Sequence, residues 1–157
     1  MMSDYQMATM PLLNTSPRCW REWQFWVLAA ITAVIYLSRI VDLPIRGEET
    51  RRAMVAWEIV QSGDWIVPQQ QHQPFLSRPP VGSWPIAWLT EASGDLSIFA
   101  VRLPSIAATI LVTLLIYAYA RQFLSRLGAL SSGLAFATFV QVLQLGRLAE
   151  TEALFTL

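Results

Sequence analysis

Three apolar runs, at about residues 25–43, 104–123 and 127–145, constrain this chain more than anything else in it. A hydrocarbon core of about 30 Å takes about twenty apolar residues to cross as a helix. Lipid offers no partner to a bare backbone amide, so runs of this length are expected to bond internally as helices. The expected fold class is all-α, a polytopic transmembrane helical protein. Trp20, Trp23 and Trp26 form an interfacial belt at the start of the first run, and Pro44 closes it. The run is too long for a cleavable signal, and no small-residue cleavage site follows it.

Composition points the same way. The chain is 54% hydrophobic and 14% charged, where soluble domains carry about 25% charged residues. Eleven arginines balance eleven acidic residues, and there is no lysine. Zero net charge gives nucleic acid no electrostatic reason to be the partner. Guanidinium groups fork onto phosphates and carboxylates, although an arginine-only chain is equally what a GC-rich genome produces. The single cysteine, Cys19, excludes an internal disulfide.

Arginines in short loops set the orientation. Arg121 and Arg126 bracket the short loop between the second and third runs with no acid beside them, and Arg18 and Arg21 precede the first run. Both places read as cytoplasmic, which puts residues 1–24 inside as a tail and residues 44–103 outside as a long first loop. That loop is expected to carry two interfacial helices. Residues 50–61 place Ala53, Ala56, Trp57 and Val60 on one stripe, with Glu49, Arg52 and Glu58 elsewhere and Gly63 as a left-handed terminator. After a polar loop at 69–73, residues 81–89 form a segment too short to span, with Trp84 and Trp88 as anchors. Asp64-Trp65 reads as a turn residue beside an interfacial aromatic, Arg39 and Asp42 as a helix-end pair, and His72 stands alone with no metal role.

Four ordered blocks fill the outer loop and its exit: Glu48-Glu49-Thr50-Arg51-Arg52-Ala53, Gly63-Asp64-Trp65-Ile66-Val67-Pro68, Pro74-Phe75-Leu76-Ser77-Arg78-Pro79-Pro80 and Arg102-Leu103-Pro104-Ser105. Together they resemble the N-terminal part of the GT-C membrane glycosyltransferases. Within that class the chain looks most like the protein mannosyltransferase-like and aminoarabinose (lipid A) transferase branch, whose first outer loop reads approximately D-E-A-R-Y-A, G-D-W-x-V-P, K-P-P and R-L-P. This chain carries Glu for Asp at 48 and again at 152, Arg for Lys at 78 and Arg for Tyr at 52. An extra methylene shifts a carboxylate by about a bond length, and about 1 Å of misplacement can cost about a hundredfold in rate.

The resemblance implies a sugar donor on a polyprenyl-phosphate carrier, a lipid, glycan or protein acceptor at the outer face of the inner membrane, and membrane lipids as surroundings. It makes Glu48 the catalytic base or a metal contact, Glu49 its supporting neighbour and Glu152 a second acid. Arg78 and Arg147 fall to the donor phosphate, with Arg51 beside them. The resemblance leaves a divalent metal open, but no ligand set is recognisable in the sequence. Read from the residues alone, Glu48 and Glu49 also suit a helix N-terminus, and the arginines also suit lipid headgroups. A further apolar segment opens at Ala153, so the chain reads as the N-terminal portion of a longer enzyme. The competing expectation is a non-catalytic membrane binding or assembly module, or an inactive fragment of such an enzyme.

Overall fold

The computed structural model describes residues 19–38, 40–42, 44–45, 47–71, 73–74 and 79–146. Six helices account for most of them: α1 (Trp23–Leu37), α2 (Glu48–Ser62), α3 (Trp84–Ser93), α4 (Ile98–Ala120), α5 (Arg126–Thr138) and α6 (Val140–Leu145). A two-stranded antiparallel ribbon, β1 (Gln69–Gln70) with β2 (Gln73–Pro74), sits between α2 and α3.

The three apolar runs are placed, but their helix ends differ from those expected. In the first run the helix stops at Leu37, short of residue 43. Ser38 takes an extended ψ of 131°, and its hydroxyl donates to the Ile35 carbonyl at 2.9 Å, which competes with another helical turn. The second helix begins at Ile98, because the Ser97 hydroxyl accepts from the Ala100 amide at 3.1 Å and caps it. Pro104 therefore lies inside α4, where its missing N–H leaves out the bond to the Ala100 carbonyl. The third run is divided: α5 ends at Thr138, Phe139 is extended at ψ 129°, and α6 follows. No proline or glycine causes this break. Phe139 stands between β-branched Thr138 and Val140, and the Tyr36 hydroxyl donates to the carbonyl of Ala137 at 2.9 Å, satisfying an acceptor that the break releases. Among the described residues one helix, α4, is long and apolar enough to cross a membrane, while α1 is apolar but shorter.

α1, α4 and α5 form a bundle with Leu28, Tyr117 and Ala129 packed at one end and Tyr36, Ile40 and Ile106 at the other. α1 buries Gln24, Leu28, Thr32 and Tyr36, one residue per four, so a single ridge faces inward. α5 answers with Ala129, Gly133 and Ala137, also four apart. The small residues Ala129 and Gly133 let α1 approach α5 closely. A Cβ on Gly133 would come within 2.6 Å of Leu28 Cδ2. Thr32, Thr109 and Thr113 are buried in the bundle, and each hydroxyl donates to the carbonyl four residues back in its own helix.

α2 and α3 make a second core with the start of α4, built on Ala53, Ala56, Ile59, Ile86, Ala87 and Val101. α2 starts at Glu48, two residues before the expected start, and Gly63 at φ 70° ends it as anticipated. Its buried face is rotated from the expected stripe. Glu49 and Arg52 lie on that face with Ala53, Ala56 and Ile59, while Trp57 is 37% exposed. This orientation brings Glu49 to its buried partner and leaves the indole partly exposed. The loop beyond is tied down by polar contacts. Asp64 Oδ1 accepts from the amides of Ile66 and Val67 at 3.0 Å, Glu58 Oε1 accepts from the Gln71 amide at 2.6 Å, and Trp84 Nε1 donates to the Trp65 carbonyl at 2.8 Å. The Val67 and Ile66 amides hold the Asp64 carboxyl below its ordinary range.

The contact at Gly133 carries a prediction. Replacing Gly133 by Val overpacks the α1–α5 interface, at a cost of about 1–3 kcal/mol. Thermal unfolding in detergent should show a clearly lower midpoint for Gly133→Val, and an unchanged midpoint would contradict the close approach.

Candidate active site

The amino end of α2 brings three of the six anticipated site residues together, Glu48, Glu49 and Arg51. Gly47, at φ 56°, turns the chain into the helix and offers no side chain as a cap. Two acids follow at once, in the turn where the helix dipole favours negative charge. Successive helical residues are about 100° apart around the axis, so Glu48 and Glu49 face different surroundings.

Glu49 points inward and is 1% exposed. Its Oε1 accepts from Arg102 Nε at 2.9 Å and its Oε2 from Arg102 Nη2 at 2.8 Å, a fork-to-fork pair. Arg102, also 1% exposed, donates its remaining Nη1 hydrogen bond to the Ile40 carbonyl. Glu48 stays partly accessible and accepts from Arg51 Nη1 at 2.9 Å across one helical turn. Arg51 is similarly accessible. The two adjacent acids are thus divided: one has both oxygens committed inside, and the other presents a carboxylate beside a guanidinium at the surface. That surface pair can accept a proton from an approaching hydroxyl or amine and place positive charge next to an anion. Arg78, Arg147 and Glu152 lie outside the described residues. Among the described residues no three His, Cys, Asp or Glu side chains converge as a metal site.

Arg102 was quoted from the sequence only as part of a motif, and its partner was missed. The available signal was its own position, since a charge within an apolar helix requires a counter-charge from another segment. A second such arrangement occupies the opposite end of the bundle. Arg121 and Arg126 have no acid beside them in sequence, yet the fold brings Glu22 between them. Glu22 accepts from Arg121 Nε at 3.0 Å and Nη2 at 2.8 Å and from the Tyr117 hydroxyl at 2.6 Å, with Arg126 Nε at 3.5 Å. The Arg121 hydrogen bond, seconded by Tyr117 and by the charges of Arg121 and Arg126, draws the Glu22 carboxyl down to about 2 against the opposing effect of burial.

With this geometry in view, comparison with known proteins decides the family. The family model described as dolichyl-phosphate-mannose-protein mannosyltransferase matches residues 77–157. The chain belongs to this family. It is also similar to proteins named undecaprenyl phosphate-alpha-4-amino-4-deoxy-L-arabinose arabinosyl transferase. That of Edwardsiella ictaluri is 35% identical over 137 residues, covering 84% of this chain and 24% of the relative. That of Aeromonas salmonicida is 32% identical over 134 residues with the same coverage, and that of Pseudomonas savastanoi is 33% identical over 93 residues, covering 57% and 17%. The chain therefore spans about a quarter of the length of the first two of these relatives. No solved structure gives a significant match. The resemblance read from the four sequence blocks is confirmed at the level of the family: a membrane-embedded glycosyltransferase class whose curated members here are named for a lipid-phosphate-linked sugar.

The Glu22 clasp makes a pH prediction with a definite sign. The folded carboxyl titrates near 2 and the unperturbed one at 4.5, so the clasp contributes fully above pH 4.5 and is lost as pH falls toward about 2. Melting temperatures in detergent should fall through that window for the native protein. Glu22→Gln should be less stable at neutral pH and should lack this part of the acid loss; matching acid slopes would refute the clasp.

Proposed function

We propose that this chain forms the N-terminal part of an inverting sugar transferase, with a polyprenyl-phosphate-linked sugar as donor and an acceptor at the outer face of the bacterial inner membrane. The observation that carries the reading is the division of the acid pair: Glu48 accessible beside Arg51, Glu49 committed to Arg102. Family membership and relatives named for an undecaprenyl-phosphate aminoarabinose donor support it and favour an amino-sugar donor of that class. On this reading the Glu22 end faces the cytoplasm and the Glu48 end faces outward, with α2 and α3 lying at the outer surface. Exposed Trp84 and Trp88 on α3 and Trp20, Trp23 and Trp26 near the start of α1 supply ring-bearing belts at the two ends.

The chemistry follows from charge. The acceptor oxygen or nitrogen attacks the anomeric carbon as Glu48 takes its proton. The carbon–oxygen bond to phosphate breaks from the opposite face, and the polyprenyl phosphate departs with the bonding electrons. Arg51, with Arg78 and Arg147 as the resemblance assigns them, neutralises the charge that gathers on the leaving phosphate. Glu152 is the second acid on the same assignment. Glu49 supports this site from within the protein and takes no proton.

Glu48→Gln should lower transfer of labelled aminoarabinose from its undecaprenyl-phosphate carrier by about a hundredfold to ten-thousandfold, the usual share of a general base. Membrane levels of the protein should not change, and turnover near the native rate would remove Glu48 from the role. Arg51→Gln should weaken binding of undecaprenyl phosphate to the purified protein, measured separately from turnover.

A further inference from the structure

The start of α2 is held in an unusual way. Its N-cap position is a glycine, and no side chain caps the first turn. Arg102 grips that turn, reaching from α4 across 53 residues of sequence. The same guanidinium holds three things: both oxygens of Glu49 and the carbonyl of Ile40 in the connection between α1 and α2. Three separate stretches of chain meet on one planar group whose five donors have fixed directions. Glu48 is the residue next to Glu49, and Arg51 is one turn further on. Any slide or tilt of this turn against α4 therefore moves both.

We propose that Arg102 is a positioning residue for sugar transfer: through Glu49 and the Ile40 carbonyl it sets where Glu48 and Arg51 stand over the end of the bundle. This rests on the reading of Glu48 as the base, although the anchoring itself does not. Lysine at 102 keeps the charge but cannot make the two parallel bonds. Glutamine at 49 keeps the shape but removes the charge that draws the guanidinium in. Both changes leave most of the side-chain volume in place, so they test position with less risk of unfolding than truncation.

Two measurements on the full protein in detergent or nanodiscs separate the possibilities. Spin labels on exposed Ser62 of α2 and exposed Leu115 of α4 report the distance between the two helices. That distance should shift or broaden in Arg102→Gln, less so in Arg102→Lys and Glu49→Gln, and not at all in Glu58→Gln, away from the pair. Steady-state transfer, expressed per folded molecule, should lose about a hundredfold in kcat in Arg102→Gln with KM for the lipid donor little changed, as a base displaced by about 1 Å requires. Arg102→Lys should recover part of the loss. An unchanged distance in Arg102→Gln, or native kcat per folded molecule in all three variants, overturns the proposal. If Glu48→Gln retains turnover while Arg102→Gln both moves α2 and lowers kcat, the assignment of the base fails and the positioning role stands.

Discussion

A charge placed among apolar side chains must bring its counter-charge with it, and α4 carries two such charges. Arg102 within that helix and Arg121 at its C-cap sit nineteen positions apart, a rise of about 28 Å and close to the thickness of a hydrocarbon core of about 30 Å. Each is met by a carboxylate fork from a different part of the chain, Glu49 at one end and Glu22 at the other. The two ends of the α1 region are tied to the same helix, through Ile40 and through Glu22. α4 is therefore the member against which everything else is registered, and its registration is electrostatic at the ends and steric between them. Breaking a buried pair such as Arg102–Glu49 by removing one partner costs about 3–5 kcal/mol.

The division of labour between adjacent acids follows from helix geometry. A strand would have sent Glu48 and Glu49 to opposite faces and left both near a surface. A helix rotates them by about 100°, enough to sink one against α4 and leave the other beside Arg51. Of the two adjacent acids, Glu49 is thus built into the core against Arg102, and Glu48 stays partly accessible beside Arg51.

Much of this was legible in the sequence. The apolar runs, the glycine that ends α2, the turn at Asp64 and the tolerance of Ala129 and Gly133 for a close neighbour all depend on local composition. The family was legible because its four blocks lie in order along a continuous stretch. What escaped were features decided at a distance. The face of α2 could not be read from its apolar residues, because Glu49 turns inward to Arg102 on α4 and Arg52 is buried on the same face. α4 starts at Ile98, six residues before the apolar run at 104–123, because the Ser97 hydroxyl already caps the helix there. The break at Phe139 has no breaker residue, and what accommodates it is a tyrosine hydroxyl from a helix a hundred residues away.

The early end of α1 has an effect on the lipid around it. Fifteen helical residues make a rod of about 22 Å, beside an α4 of about 34 Å. On the proposed topology that difference would be met by thinning of the bilayer beside α1, by flanking side chains reaching to the interface or by helix association. The shortfall of α1 would then fall on the Ser38 side, where the helix ends.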